Sequence, residues 1–219
     1  MTDASTPDAR LSGAGASAKV RVWDPLVRLF HWGLVAAFAI AWLSADEVQP
    51  VHEIAGYAIA ALVAFRLVWG LVGSRHARFA QFLKGPRETL AYLGDMVRRR
   101  ERRYLGHNPA GAAMIVALLV TLSGTAFTGW LLEEPDRVAM LPALPQIVAP
   151  AWADDDGHGT RGDAEEALEE VHETLANLML LLAALHVGGV VLASFRHDEN
   201  LARSMITGDK RAPGPGDIA

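Results

Sequence analysis

The 219-residue chain contains no cysteine. That absence excludes a disulfide framework, a thiolate zinc site, a cysteine-held iron–sulfur cluster and thioether attachment of a c-type haem. Charge is missing where hydrophobicity is greatest: residues 110–132 and 174–195 contain no Asp, Glu, Lys or Arg. Yet the whole chain is 21% charged and 51% hydrophobic, with a mean hydropathy of +0.19. Such a mean excludes a disordered chain, and with this many charges it requires segregation into apolar runs and charged blocks. A membrane protein is expected. Residues 1–21 are mostly small and polar, lack the apolar stretch of a secretory signal, and read as a flexible tail.

Four stretches approach the roughly 20 apolar residues that cross a bilayer as a helix. They run over about 26–45, 52–72, 110–132 and 174–195. Small residues recur in all four, as close helix packing in lipid favours. The expected fold is therefore all-α: an integral membrane four-helix bundle over 22–198, followed by a C-terminal tail over 199–219.

The loops set its direction. The segment before the first span carries Arg10, Lys19 and Arg21, with Arg28 at its edge. The connection 73–108 carries nine Lys and Arg against three acids, and Arg196, Arg203, Lys210 and Arg211 follow the fourth span. The other two connections are the reverse: Asp46 and Glu47 in one, and eleven acids against Arg137 and Arg161 in 133–171. Positive loops stay inside, so both termini are expected in the cytoplasm, with the acidic connection outside a bacterial inner membrane. Trp32, Trp42, Trp69 and Trp130 fall near span ends, where aromatic rings favour the interface, although helix packing accounts for them equally well.

Eight histidines are present, and four of them, His31, His52, His172 and His186, lie within the spans or at their edges. Ionisable groups at membrane depth are costly and mark function by default. His172 and His186 are fourteen residues apart, so about 21 Å along one helix and close to four turns, which puts them on nearly the same face. Depth then pairs His52 with His172 at the outer level and His31 with His186 at the inner one. Facing imidazoles can hold a metal ion or a haem. A zinc or copper ion wants three or four ligands, and the inner level offers no carboxylate or thiol, although Glu53 and Glu173 lie near the outer level. A haem needs only its two axial positions filled. Gly33, Gly56, Gly129, Gly188 and Gly189 suit the approach of a planar group, as they also suit helix packing. Arg66, within the second span, either snorkels to the interface or pairs with a haem propionate.

The stretches VWDPLVRLFHW, HEIAGYAIAALVAFRLVWG, GSRHARF, GHNPAGAAMI, VHETLANLML and LHVGGVVLASF, in this order, resemble the bacterial cytochrome b561 family. That family includes the membrane cytochrome b subunit of nickel–iron hydrogenases. The resemblance extends over about 22–210 and implies two b haems, one towards each face. It implies axial ligation by His31 and His186 at the inner haem and by His52 and His172 at the outer. It also implies electron transfer between a redox partner and a quinone, ubiquinone or another, with no catalytic residues of the chain's own.

Several functional classes remain open. Superoxide or quinol oxidoreduction by the chain alone is one, and a transporter or proton relay built on intramembrane histidines is another. A structural anchor needs the spans but not the matched histidines. Expected partners are lipid, quinone, and either a soluble cytochrome c or a hydrogenase-type redox subunit; nucleic acid is not among them. The acidic connection is expected to be a solvated loop carrying His158, with docking of a basic cytochrome as the sharper reading. The run Arg98–Arg103 is expected at anionic headgroups or beneath a cytoplasmic partner.

Overall fold

The computed structural model describes residues 18–134, 137 and 161–218. Strand β1 (Lys19–Arg21) leads into α1 (Pro25–Ser44) and α2 (Gln49–Val72). A one-turn α3 (Phe79–Phe82) and an amphipathic α4 (Pro86–Val97) follow, then α5 (Pro109–Leu132). The long α6 (Arg161–Arg196), a short α7 (Leu201–Thr207) and β2 (Asp209–Arg211) complete the described chain.

Four helices, α1, α2, α5 and α6, are long and apolar enough to cross a membrane. Their starts are encoded locally. Asp24 caps α1 by accepting from the Val27 amide at 2.9 Å, and Asn108 caps α5 by accepting from Gly111 at 2.7 Å. Pro25 and Pro109 follow those caps, where the missing amide costs nothing. Asp24 also accepts from Ser74 and, at 3.4 Å, from the Trp69 indole, which ties the start of α1 to the end of α2. Trp69 therefore serves as a strut.

Packing is uneven. Helix α1 lies on α2, α2 on α5, and α5 on α6, whereas among the described residues α6 approaches α1 and α2 at no more than isolated points. A central core of Ala37 and Ala41, Ala55, Ile59 and Val63, Leu122 and Met179 draws on all four helices. Leu29, Leu43, Ile54, Leu71, Val120 and Leu185 remain exposed on the outer faces, an apolar surface that suits lipid and not water. Helix α6 starts at Arg161, well before 174, because EEALEE is strongly helix-forming. Its 36 residues make it roughly 54 Å long, more than a bilayer core requires. Part of the acidic connection is thus helical; residues 135–136 and 138–160, with His158, lie outside the described residues.

At the end of the bundle that carries 73–108, here the basic end, the segments 19–21 and 199–218 form a cap. Strands β1 and β2 pair antiparallel, Lys19 opposite Arg211, and Tyr104 bridges to Ile218. Arg103 bonds Glu199 at 2.8 Å and Asp217 at 2.6 Å, with all three side chains nearly buried. Lys210 joins Glu199 at 3.4 Å, and Glu101 holds Arg196 at 2.6 Å. The basic run is therefore divided. Arg98, Arg99 and Arg100 are exposed, while residues 101–103 hold the cap.

Burial pulls the Glu199 carboxyl up, but Arg103, Lys210 and the Arg211 amide together hold it below its ordinary 4.5. The Gly214 amide and Arg103 likewise hold Asp217 below 3.8. Carboxylates depressed in the folded state contribute stability that is complete above their ordinary values and is lost as pH falls through the lowered ones. The cap is expected to keep its amide protection factors from neutrality down to about pH 5 and to lose them below about pH 4. Hydrogen exchange across 201–218, corrected for intrinsic rate, checks this; protection unchanged at pH 3 would contradict it.

Candidate functional site

The four histidines within the membrane spans meet as two pairs. At the basic end the rings of His31 on α1 and His186 on α6 have centroids 6.4 Å apart. At the opposite, acidic end the rings of His52 on α2 and His172 on α6 stand 6.2 Å apart. Both pairs therefore bridge between α6 and the α1–α2 hairpin, the two parts that pack least closely. Met179, in the central core, lies midway between them on α6.

The acidic-end rings are fixed through their Nδ1 atoms. His52 Nδ1 lies 2.9 Å from the Ala41 carbonyl, which accepts only, so this nitrogen carries the proton. His172 Nδ1 lies 2.9 Å from Thr128 Oγ1, which itself reaches the Gly124 and Thr125 carbonyls at 3.0 Å. With the single hydroxyl hydrogen directed to one of these carbonyls, Thr128 accepts from His172. Both rings are then left with a bare Nε2, the tautomer of a metal-ligating histidine held by its surroundings. Gly129 admits the His172 ring: a Cβ there would sit 3.0 Å from His172 Cε1. Sequence reasoning missed Thr128 and the Ala41 carbonyl, since neither a backbone oxygen nor one neutral hydroxyl in an apolar run stands out.

Two imidazoles sharing one metal at about 2.0–2.1 Å per bond have centroids roughly 6 Å apart, as both pairs do. Among the described residues no group of three His, Asp or Glu is placed to hold a metal ion. Glu53 faces Gln49 at 3.2 Å instead. Each pair is thus a two-ligand site, which suits a haem better than a bare zinc or copper ion. Of the glycines, Gly33 packs towards Leu62, while Gly56, Gly188 and Gly189 have no atom within 4 Å of a Cβ position. Gly56 lies one turn from His52 and Gly189 one turn from His186, so space adjoins both pairs. At the basic end, His31 Nδ1 is buried without a hydrogen-bond partner among the described residues.

Arg66 does not snorkel. It is 4% exposed and lies over the Phe79 ring, 4.7 Å from its centre, with Nη1 buried and unpartnered among the described residues. Gly70 makes room for Phe79, because a Cβ there would fall 2.1 Å from the ring. His107, in the connection before α5, is wedged between Trp23 and Phe82, 4.6 Å from each. Burial, with Arg66 and Lys210 adding to it, pushes its pKa down to about 3, so the ring is neutral at physiological pH.

A family model described as prokaryotic cytochrome b561 matches residues 22–208. The chain belongs to this family. It is accordingly a multi-pass bacterial membrane protein, a b-type cytochrome of electron transfer. A curated relative, the probable Ni/Fe-hydrogenase B-type cytochrome subunit of Rhizobium leguminosarum bv. viciae, is 23% identical over 87% of this chain and 88% of its own length. No solved structure matches.

Proposed function

We propose that the chain is a dihaem electron carrier, with His31 and His186 as axial ligands of one b haem and His52 and His172 of the other. The observation that carries this reading is the pair of ring separations, 6.4 and 6.2 Å, at the two ends of one bundle. The loop charges support a cytoplasmic basic end, with both termini on the cytoplasmic side of a bacterial inner membrane. When bound, each haem supplies a one-electron couple. The chain's residues do the remainder. Each pair of imidazoles would hold one haem, and the iron held by two histidines would have no ligand position open to oxygen. Ala41 and Thr128 hold two of the rings in the ligating tautomer. The apolar core between the pairs keeps water out of the space between the two levels. Arg66 offers its buried guanidinium to a propionate at the basic end.

Electrons pass between the quinone pool and a redox partner. The hydrogenase cytochrome subunit among the relatives supports a hydrogenase-type partner over a soluble cytochrome c. The experiment is anaerobic addition of a quinol to the purified protein in lipid, followed by absorbance in the b-haem band. Reduction of both haems, reversed by the matching quinone, is expected. Indifference to quinols and quinones together with reduction by dithionite would contradict the quinone role.

A further inference from the structure

We infer that Arg66 and His107 together form a carboxylate-binding site beneath the His31–His186 pair, and that its ligand is a propionate of the haem those histidines hold. The inference rests on that ligation and extends it to a residue outside the spans.

The two groups belong to one structure. Arg66 lies on Phe79, Phe79 meets Phe82 edge-on at 5.8 Å, and Phe82 packs on His107 at 4.6 Å. Trp23 closes the other side of the imidazole. His186 and Arg66 are both near enough to His107 to act on it electrostatically. This aromatic stack therefore carries a guanidinium at one end and an imidazole at the other, next to the basic-end ligand pair.

Both carry an unmet demand. Arg66 Nη1 and His107 Nδ1 are buried and have no hydrogen-bond partner among the described residues. A guanidinium cannot shed its charge, so its burial requires an anion. Asp24 is within electrostatic reach of Arg66, but its carboxylate is engaged by Val27, Ser74 and Trp69. The charged groups acting on His107 besides Arg66 are Lys210, His76 and His186, with no acid among them. A cavity of about 110 Å³ beside His107 is lined by Arg75, His76, Lys84 and Tyr104, again without an acid. Each demand is for an anionic acceptor, and a haem carboxylate is the anion that His31 and His186 would bring there.

The test compares His107→Phe, which keeps the aromatic stack, with His107→Asn, which restores a polar donor, and with Arg66→Lys, which keeps the charge. Haem content and the midpoint potential of each haem are measured in the full-length protein. Redox-difference infrared spectra with carboxyl-labelled haem are recorded alongside. With both haems retained, His107→Phe is expected to shift a labelled propionate band and lower the potential of one haem alone, because an undonated carboxylate favours oxidised iron. His107→Asn should recover part of both changes, and Arg66→Lys should move the same band. A propionate band that moves in Arg66→Lys but not in His107→Phe would overturn the inference while leaving the ligation intact. A potential that responds to added acetate in the native protein, with no propionate shift in the variants, would make the ligand a free anion and overturn it as well. Retention of both haems in His186→Leu would instead defeat the ligation on which it rests.

Discussion

Replacing His186 by leucine is expected to remove one haem from each chain and leave the other, with the bundle assembled. Leucine keeps an apolar side chain of similar bulk on a helix that is exposed over much of its surface, so the fold loses little. What disappears is one of two axial ligands. His31, 6.4 Å away, is left facing a side chain that cannot coordinate. The acidic-end pair lies about 21 Å distant along α6 and shares no contact with the change. The haem-to-protein ratio should fall from two to one, and the surviving redox step should keep its potential. His172→Leu should give the mirror result. If either substitution removed both haems, the pairs would not be independent; if neither removed any, the assignment of ligands would be wrong.

Replacing Arg103 by methionine is expected to open the cap at a cost of about 3–5 kcal/mol, because it leaves buried partners without their counter-ion. Arg103 is the hub: it holds Glu199 through two nitrogens and Asp217 through a third, and it donates to the Arg211 carbonyl at 2.8 Å. Without it, Glu199 keeps, among the described residues, Lys210 and the Arg211 amide. The loss falls on β2 and on the segment that meets Tyr104. Trp32 and Arg28 of α1 also bond carbonyls of α7, so loosening should reach the start of α1 near His31. Hydrogen exchange should rise across 199–218 while α5 and the middle of α6 stay protected. Protection of 199–218 as strong as in the native protein would show that the ion cluster is dispensable.

The four spans were legible because length and apolarity in a bilayer admit few alternatives, and because every connection carries the same charge message. The meeting of the histidines could be argued as well, since a helix converts the fourteen residues between His172 and His186 into depth and direction. The cap could not. Arg103 and Glu199 are 96 positions apart; one sits in the basic run expected at headgroups or a partner, the other at the start of the expected tail. Residues 199–219, read as a tail, carry α7 and β2 because their charges find partners only once the bundle places 98–105 beside them. Arg66 shows the same limit. Its position left snorkelling and pairing with a propionate equally open, and the placement of Phe79 across Gly70 is what rules out snorkelling. His107 looked like any loop histidine, since its aromatic neighbours come from Trp23 and Phe82, both distant in sequence.

The central claim is that one chain carries two bis-histidine haems. The most direct test is the reduced-minus-oxidised spectrum of the purified protein, with haem and protein quantified on the same sample. B-type absorption, two haems per chain and low-spin iron in both oxidation states are expected, as two imidazoles per iron require. One haem per chain would contradict the double site, and high-spin iron would contradict ligation by facing histidines.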